Sequence, residues 1–340
     1  MNAGQRVRAL FRRGVRRLRD TRLARCLYLV TGLFREARLV WRGLRAQHRN
    51  DPQAVAYRLR RNIHRLEKAL GTRNRRGRFA LSYISRTVKD LGLLLKYRAE
   101  DRQRDADLSW AADVLREYFS VVEDGGIVAA AREEFMRQAR EMGLASGGPV
   151  VRKEKEREAP GVSTDHLRQL VERRKSVRWF LPERIERGTI DQALEIARLA
   201  PSACNRQPLR FVVLDRPEEA AACAGLLMGA EGYAANVPAM VVIVGRMRAF
   251  EHPRDRHLVH VEAGLCAMLF LLALETLGLG GCCVNCPDLG AQSRRLSRFL
   301  TLERDEQPVL AVVFGKPDPE GLVGRADRRP LEKLRQYYRS

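Results

Sequence analysis

Apolar residues recur at the spacing of an amphipathic helix through the first 145 residues of the chain. Since apolar residues three or four positions apart share one helix face, the stretch from 23 to 44 predicts a helix with arginines covering its other faces. The same spacing predicts helices at about 53–70, 79–98, 106–122 and 127–143, and no alternating strand pattern stands out. The apolar positions of the first helix are Leu23, Leu27, Val30, Phe34, Ala37, Trp41 and Leu44.

The pattern changes in the second half of the chain, where helical stretches alternate with short β-rich runs. Such alternation predicts a sheet covered by helices. One helical stretch, 255–278, is apolar nearly all round and is expected in the core or at a subunit interface. The other predicted helices are 165–174, 187–199, 217–228 and 289–300, and the predicted strands are 209–214, 239–244, 281–284 and 309–314.

Glycine, proline and alternating charges separate the two halves. Ser146 to Pro149 and Ala159 to Gly161 flank a run of alternating basic and acidic residues, a composition typical of a linker. We therefore predict a basic all-helical accessory domain at 1–145, a charged flexible linker at 146–163 and an α+β domain at 164–340.

The formal charge of +22 lies almost entirely in the first half, because residues 1–98 contain 27 basic and 5 acidic side chains. Three interpretations of the basic helix stay open. It could lie on an anionic membrane surface through residues 1–50, bind nucleic acid, or pack its apolar face on its own domain or dimer. No helix-turn-helix, zinc-finger or RNA-binding signature supports nucleic acid as a partner.

The chain contains seven cysteines, and the odd number argues against a secreted disulfide framework. The first 25 residues contain nine arginines and no apolar signal core, and the longest uncharged run near the N-terminus, 26–34, is far shorter than the ~20 residues of a membrane span. We expect a cytoplasmic protein, with peripheral attachment to the inner face of the membrane as an alternative. The single CxxC pair, Cys283 and Cys286, lacks further ligands, so buried thiols are expected and no metal site.

Two segments carry residue types that suit a bound cofactor. The stretch 173–180, Arg-Arg-Lys-Ser-Val-Arg-Trp-Phe, brings guanidinium groups and a hydroxyl together, which suits a phosphate monoester, although in so arginine-rich a chain a solvated basic turn is the commoner explanation. The stretch 200–208, Ala-Pro-Ser-Ala-Cys-Asn-Arg-Gln-Pro, offers amide donors and acceptors for a planar cofactor, or only a capped loop.

Two further segments are weaker. Gly-Leu-Gly-Gly at 278–281 closes the apolar helix, where glycine permits either close approach to a flat ring or a simple helix stop. Phe-Gly-Lys-Pro at 314–317 ends the last predicted strand, and Arg325, Arg328 and Arg329 follow it. Glu262, near the start of the apolar helix, is expected to complement the helix dipole.

In this order and spacing, the four segments resemble the FMN-dependent nitroreductase family over about residues 165–335. The resemblance implies an α+β domain with a mixed sheet flanked by helices, and a homodimer with FMN at the interface. Arg174, Lys175 and Ser176 would hold the flavin phosphate and ribityl chain, with Arg178 near the pyrimidine. Pro201, Ser202, Asn205 and Gln207 would pack on the flavin from the partner subunit. Backbone groups at Gly281 and Cys282 would face the reactive side of the ring, and Arg328 and Arg329 would close on the phosphate.

The resemblance also implies an activity, an NAD(P)H-using oxidoreductase in which FMN passes hydride to an unidentified small-molecule acceptor by a ping-pong mechanism. No catalytic side chain is implied, because the flavin carries the chemistry. Two alternatives stay open: a flavin-binding biosynthetic oxidase or dehydrogenase without NAD(P)H, and a non-catalytic scaffold with a degenerate flavin site. The short segment 229–258 leaves the acceptor undefined.

Overall fold

The computed structural model describes residues 21–98, 100, 105–143, 148–288 and 290–338. The arginine-rich residues 1–20 and the first two residues of the predicted linker, 146 and 147, lie outside this part of the chain. Between the last helix of the first half and the first helix of the second, residues 148–163 form one three-residue 3₁₀ turn and are otherwise irregular.

The first half is helical, as predicted. Asp51 caps the second helix, since its side chain accepts hydrogen bonds from the N–H groups of Gln53 and Ala54. The predicted helix at 79–98 begins later, at Ile84, because Ala80 has a left-handed backbone (φ 62°) and a turn precedes the helix. The helices are α1 (Arg22–His48), α2 (Pro52–Leu70), α3 (Ile84–Tyr97), α4 (Ala106–Val121) and α5 (Gly126–Met142).

The second half is a four-stranded sheet between two layers of helices, which confirms the predicted α+β class. The strands pair antiparallel in the order β1-β2-β4-β3. Apolar residues alternate between the two faces, so one layer of helices covers each. The strands are β1 (Leu209–Leu214), β2 (Ala239–Arg246), β3 (Gly280–Asn285) and β4 (Glu306–Gly315). The helices are α6 (Thr164–Arg173), α7 (Arg187–Ala197), α8 (Pro217–Ala224), α9 (Leu258–Thr276) and α10 (Gly290–Phe299).

Helix α9 is the apolar helix of the sequence and packs with α7 on one face of the sheet. Together with the preceding turn it is long and apolar enough to cross a membrane, a criterion that core helices also meet. Half of its most apolar stretch is buried. Three apolar side chains on its outer face stay exposed, at Val261, Leu265 and Met268.

Helix α1 packs on the α+β domain as well as on α2. Leu39 is buried with Met247 and Phe250 of the turn that follows β2. At Gly43 the backbone of α1 approaches the backbone of this turn so closely that a Cβ would lie 2.6 Å from the carbonyl carbon of Met247. This half of α1 therefore contacts both the α+β domain and Tyr57 of α2, while Leu23, Leu27 and Phe34 stay exposed.

A buried polar network joins the two halves of the chain at Arg248. Its guanidinium forms a bidentate pair with Asp305, contacts Glu303 and lies 3.3 Å from Asp51, the N-cap of α2. Gln47 donates to the carbonyl of Arg248 (2.6 Å) and accepts from Arg58 (3.0 Å). Arg58 in turn pairs with Asp90, and both side chains are buried. The network therefore runs without interruption from the helical core to the sheet.

The close approach at Gly43 leads to a prediction about stability. Alanine in a helix normally stabilises by about 0.5–1 kcal/mol over glycine, but here its methyl group meets backbone. We expect Gly43→Ala to lower the free energy of unfolding by about 1–3 kcal/mol, measured by chemical denaturation. Gly126→Ala, in α5 with open space around it, is the control and is expected to be neutral or stabilising. Equal effects of the two substitutions would contradict the packing of α1 described above.

Candidate functional site

The segment that follows α6 runs along the outer edge of β3. Ser176 forms a parallel bridge with Gly281, and the N–H of Val177 donates to the carbonyl of Gly281 (3.2 Å). Further along, Phe180 pairs with Pro317 at the end of β4. The structure thus brings the basic motif, the glycine segment and the end of the last strand together at one end of the sheet.

The side chain of Arg174 is half-buried in this cluster, and its Nε has no hydrogen-bond partner in the described part of the chain. Glu275, near the end of α9, lies 3.4 Å from Arg173. Burial raises the pKa of Glu275, an effect that Arg173 and Arg174 oppose. Lys175 adds a third cation, its Nζ 3.4 Å from the carbonyl of Arg325. With one carboxylate for three cations, the cluster can accept an anion.

Arg178 is exposed, with its guanidinium 6.0 Å from the centre of the Tyr233 ring. Cys282 is buried beside the same tyrosine, and burial raises the pKa of Tyr233. Sequence reasoning missed Tyr233, because the segment around it carries no recognisable pattern. It also missed Asn236, whose side chain accepts from the N–H of Phe180 (2.8 Å) and donates to its carbonyl (3.0 Å).

The glycines of this cluster have a packing role. A Cβ on Gly280 would lie 2.7 Å from Val177, and one on Gly281 would lie 3.1 Å from Leu271. Gly278, with a left-handed φ of 73°, follows the end of α9. The absence of a side chain at Gly280 and Gly281 lets the 174–180 segment pack closely against β3. The left-handed backbone of Gly278 ends the helix.

The two arginines of the C-terminal segment do not reach the cluster within this chain. Arg328 donates to the carbonyl of Ala326 (2.7 Å), and both it and Arg329 are exposed. Within the described residues neither forms a hydrogen bond or ion pair with Arg174 or Ser176. Their predicted contact with a phosphate stays a prediction.

The second motif, residues 201–207, lies at the opposite end of the sheet. It precedes β1, whose first residue pairs with Gly245, and Gly245 pairs with Gln307 near the start of β4. The Arg174 cluster adjoins Gly315, at the other end of that strand, about 25 Å away at 3.3 Å per residue. Pro201, Ser202, Asn205 and Gln207 therefore do not meet the cluster in one chain.

The loop 201–207 is a strained segment held by its surroundings. Cys204, Asn205 and Gln207 have left-handed φ values of 55°, 52° and 54°, a conformation that is uncommon for residues other than glycine. Such strain persists where neighbouring structure enforces it, and it concentrates at functional sites. The Nε2 of Gln207 donates to the side chain of Asn205 (2.8 Å), and the N–H of Gln207 donates to the hydroxyl of Ser202 (3.0 Å).

Two arginines fix the loop, Arg206 from within it and Arg60 from helix α2. Buried Arg206 donates to the carbonyl of Ala203 (3.0 Å), lies 3.3 Å from Asp255 and stacks on Phe250. Arg60, on helix α2, donates to the carbonyl of Asn205 (2.9 Å). The helical accessory region thus contacts the loop of the second motif directly.

Glu262 anchors the loop from beneath. It was expected to complement the helix dipole, but α9 begins at Leu258 and Glu262 is buried one turn further in. Its Oε1 accepts from the N–H of Ala203 (2.8 Å), and its Oε2 has no partner in the described part of the chain. Burial raises its pKa to about 7, against the opposing effects of Ala203 and Arg206. A cavity of about 120 Å³ adjoins it, lined also by Pro201, Ser202 and Gln207.

The thiols of the CxxC pair differ in exposure. Cys286 is buried, and burial raises its pKa to about 12, whereas Cys283 is exposed. Cys282 is buried, as are Cys223 and Cys266. In the part of the chain that the structure describes, no group of three or more His, Cys, Asp or Glu residues could hold a metal ion.

Residues 171–316 match the model of the nitroreductase family. The resemblance found in the sequence is confirmed for this part of the chain, and this similarity supports an oxidoreductase.

The fold is similar to three solved proteins. A nitroreductase family protein from Streptococcus pneumoniae TIGR4 is 23% identical, with 51% of this chain and 100% of that one aligned and a TM-score of 0.44. A nitroreductase-like protein from Streptococcus mutans is 19% identical, with 52% of this chain and 100% of that one aligned and a TM-score of 0.46. An FMN-dependent nitroreductase from Clostridium difficile R20291 is 20% identical, with 46% of this chain and 90% of that one aligned and a TM-score of 0.40.

The raised pKa of Glu262 predicts a pH dependence of stability. Between its ordinary value of 4.5 and about 7, the folded protein binds a proton that the unfolded chain has released. The contribution of Glu262 to stability therefore falls as the pH rises through this interval and stays low above it. Glu262→Gln keeps an oxygen for the Ala203 N–H and cannot ionise. We expect its melting temperature to match the wild type at pH 4 and to exceed it by several degrees at pH 8.

The matched control is Glu133→Gln, which removes an exposed carboxylate from α5. It should show no such crossover between pH 4 and pH 8. A constant difference between Glu262→Gln and wild type at every pH would show that the pKa of Glu262 is the same in the folded and the unfolded protein, contrary to its burial.

Proposed function

We propose that the α+β domain is an FMN-dependent oxidoreductase of the nitroreductase type, taking hydride from NAD(P)H and passing it to a small-molecule acceptor in a ping-pong cycle. One observation carries the proposal beyond the family match. The Arg174 guanidinium is half-buried with an unpartnered Nε, in a cation-rich cluster that contains Ser176. A buried N–H donor beside a hydroxyl is a place for a phosphate oxygen.

The residues present fit this cofactor. Arg174, Lys175 and Ser176 would hold its phosphate, and Arg178, exposed over Tyr233, would lie near its pyrimidine. When bound, FMN supplies both hydride acceptance and hydride donation. The chain's own contribution is to bind and orient it, with the 174–180 segment fixed by Gly281 and Asn236. We assign no catalytic side chain.

We propose further that two copies of the chain complete the site. The strained loop at 201–207 lies at the far end of the sheet from Arg174, so one chain cannot present both to one flavin. Val261, Leu265 and Met268 form an exposed apolar stripe on α9 at helical spacing. An exposed apolar stripe beside such a loop supports a homodimer in which each copy supplies Pro201, Ser202, Asn205 and Gln207 to the other.

The first experiment tests the cofactor. Arg174→Ala removes charge-assisted hydrogen bonds worth about 1.5–3 kcal/mol each, so we expect the Kd for FMN to rise at least about tenfold. Flavin fluorescence titration measures it. The control is Arg168→Ala, an exposed arginine on α6. Full FMN affinity in the Arg174 variant would overturn the assignment of the site.

The wild-type protein with bound FMN distinguishes the reductase from the two alternative functions. Bleaching of the bound flavin by NADH or NADPH under anaerobic conditions supports the reductase. A flavin that binds but does not bleach would favour a biosynthetic oxidase or a non-catalytic scaffold.

A second experiment tests the dimer. Leu265→Glu places a charge in the exposed stripe of α9, and we expect it to convert the protein to a monomer and to weaken FMN binding. Analytical ultracentrifugation measures the association. Ile127→Glu, at an exposed apolar residue on α5, should leave the dimer unchanged. A wild-type protein that is monomeric and binds FMN tightly would contradict the shared site.

A further inference from the structure

A groove of about 870 Å³ lies between α1 and α10 and is lined also by Leu302, Glu303, Arg304 and Glu306. Its size is within the range of small-molecule sites. It adjoins Glu306, at the opposite end of β4 from Gly315 and the Arg174 cluster. The groove is therefore separate from the flavin site proposed above.

The groove is lined by arginines that are not neutralised by ion pairs within the described residues. In the part of the chain that the structure describes, none of the six forms an ion pair with a carboxylate, and Arg42 donates only to the carbonyl of Arg304 (2.9 Å). The two carboxylates that line the groove are engaged elsewhere, Glu303 by Arg248 and Glu306 by Arg210 and Arg246. The six are Arg35, Arg38, Arg42, Arg294, Arg298 and Arg304.

Arg35 shows the effect of this crowding. It is half-buried, and burial together with the nearby Arg294 lowers its pKa, although Asp288 partly opposes the effect. Two guanidinium groups on facing helices thus lie close enough to repel each other. A bound anion would relieve that repulsion.

The start of α10 provides polar donors at the same place. Gly290, the first residue of this ten-residue helix, lines the groove, and backbone N–H groups at a helix start attract anions. Ser293, one turn on, is only 1% exposed, lines the groove and has a hydroxyl without a hydrogen-bond partner in the described residues. A buried hydroxyl left unpaired is unfavourable unless a ligand pairs with it.

We propose that this groove binds a phosphorylated ligand that carries at least two negative charges. Arg35 of α1, Arg294 of α10 and the hydroxyl of Ser293 would hold it. Arginine pairs with phosphate oxygens through two N–H groups at once, and the helix start adds backbone donors. The phosphate can belong to a soluble metabolite or to an anionic lipid headgroup. Leu27 and Phe34, exposed on α1, give a lipid an apolar surface beside the groove.

The test uses the full chain with excess FMN, so that the cluster at Arg174 is filled, and inorganic pyrophosphate as the probe. We expect pyrophosphate to raise the melting temperature of the wild type by at least about 3 °C. Arg35→Gln with Arg294→Gln should abolish the rise. Ser293→Ala, which keeps the charge and removes only a buried hydroxyl, should reduce it. Arg45→Gln with Arg49→Gln removes the same charge outside the groove and should leave the rise intact.

Co-sedimentation with vesicles separates the two sources of phosphate. Binding to phosphatidylglycerol vesicles but not phosphatidylcholine vesicles, lost in the groove variant and kept in the control, identifies a lipid headgroup. A pyrophosphate effect without vesicle binding identifies a soluble ligand. If the groove and control variants lost the pyrophosphate effect or vesicle binding equally, the binding would depend only on overall positive charge, and the proposal would be overturned. The absence of both pyrophosphate and vesicle binding would do the same.

Discussion

The buried guanidinium of Arg248 fixes how the helical half of the chain sits on the sheet, and both candidate sites depend on that arrangement. It pairs with Asp305 and reaches Asp51, the residue that caps α2. Removing one partner of a buried ion pair costs about 3–5 kcal/mol, because the other charge is left without compensation. The position of α2 therefore follows from polar geometry, and with it the contact of Arg60 with the loop at Asn205. The groove beside α1 is formed by the same docking.

The antiparallel sheet separates the motifs that the sequence places in one family pattern. The residues before β1 lie at the Gln307 end of β4, whereas those beside β3 lie at its Gly315 end, so the two sets occupy opposite ends of the sheet. In the homodimer proposed above, a cofactor that contacts both sets lies between the two copies. In that homodimer the accessory helices would support the flavin site of the other copy, because Arg60 of α2 bonds to the loop at Asn205. Glu262 supports the same loop from the core.

Periodicity predicted nearly every helix and strand, because each buries one face and the apolar spacing records which face that is. The Arg174 segment was found as well, since its residue types are unusual and closely spaced. Tyr233, Asn236 and Glu262 were not assigned their roles, for they act through contacts between residues distant in sequence. Glu262 shows the reason clearly: its helix was predicted, but its burial beneath the Ala203 loop depends on tertiary packing. The docking of α1 was missed for the same reason.

The contacts of α1 have a consequence for how the protein is made. Gln47 bonds to Arg248, 201 residues later, and Arg42 bonds to Arg304, 262 residues later. The ribosome therefore releases α1 long before its binding surface exists, and its apolar face stays uncovered during most of synthesis. Contacts so distant in sequence form late and slowly, and uncovered apolar surface favours aggregation. The many arginines of this helix keep such a nascent segment soluble by mutual repulsion.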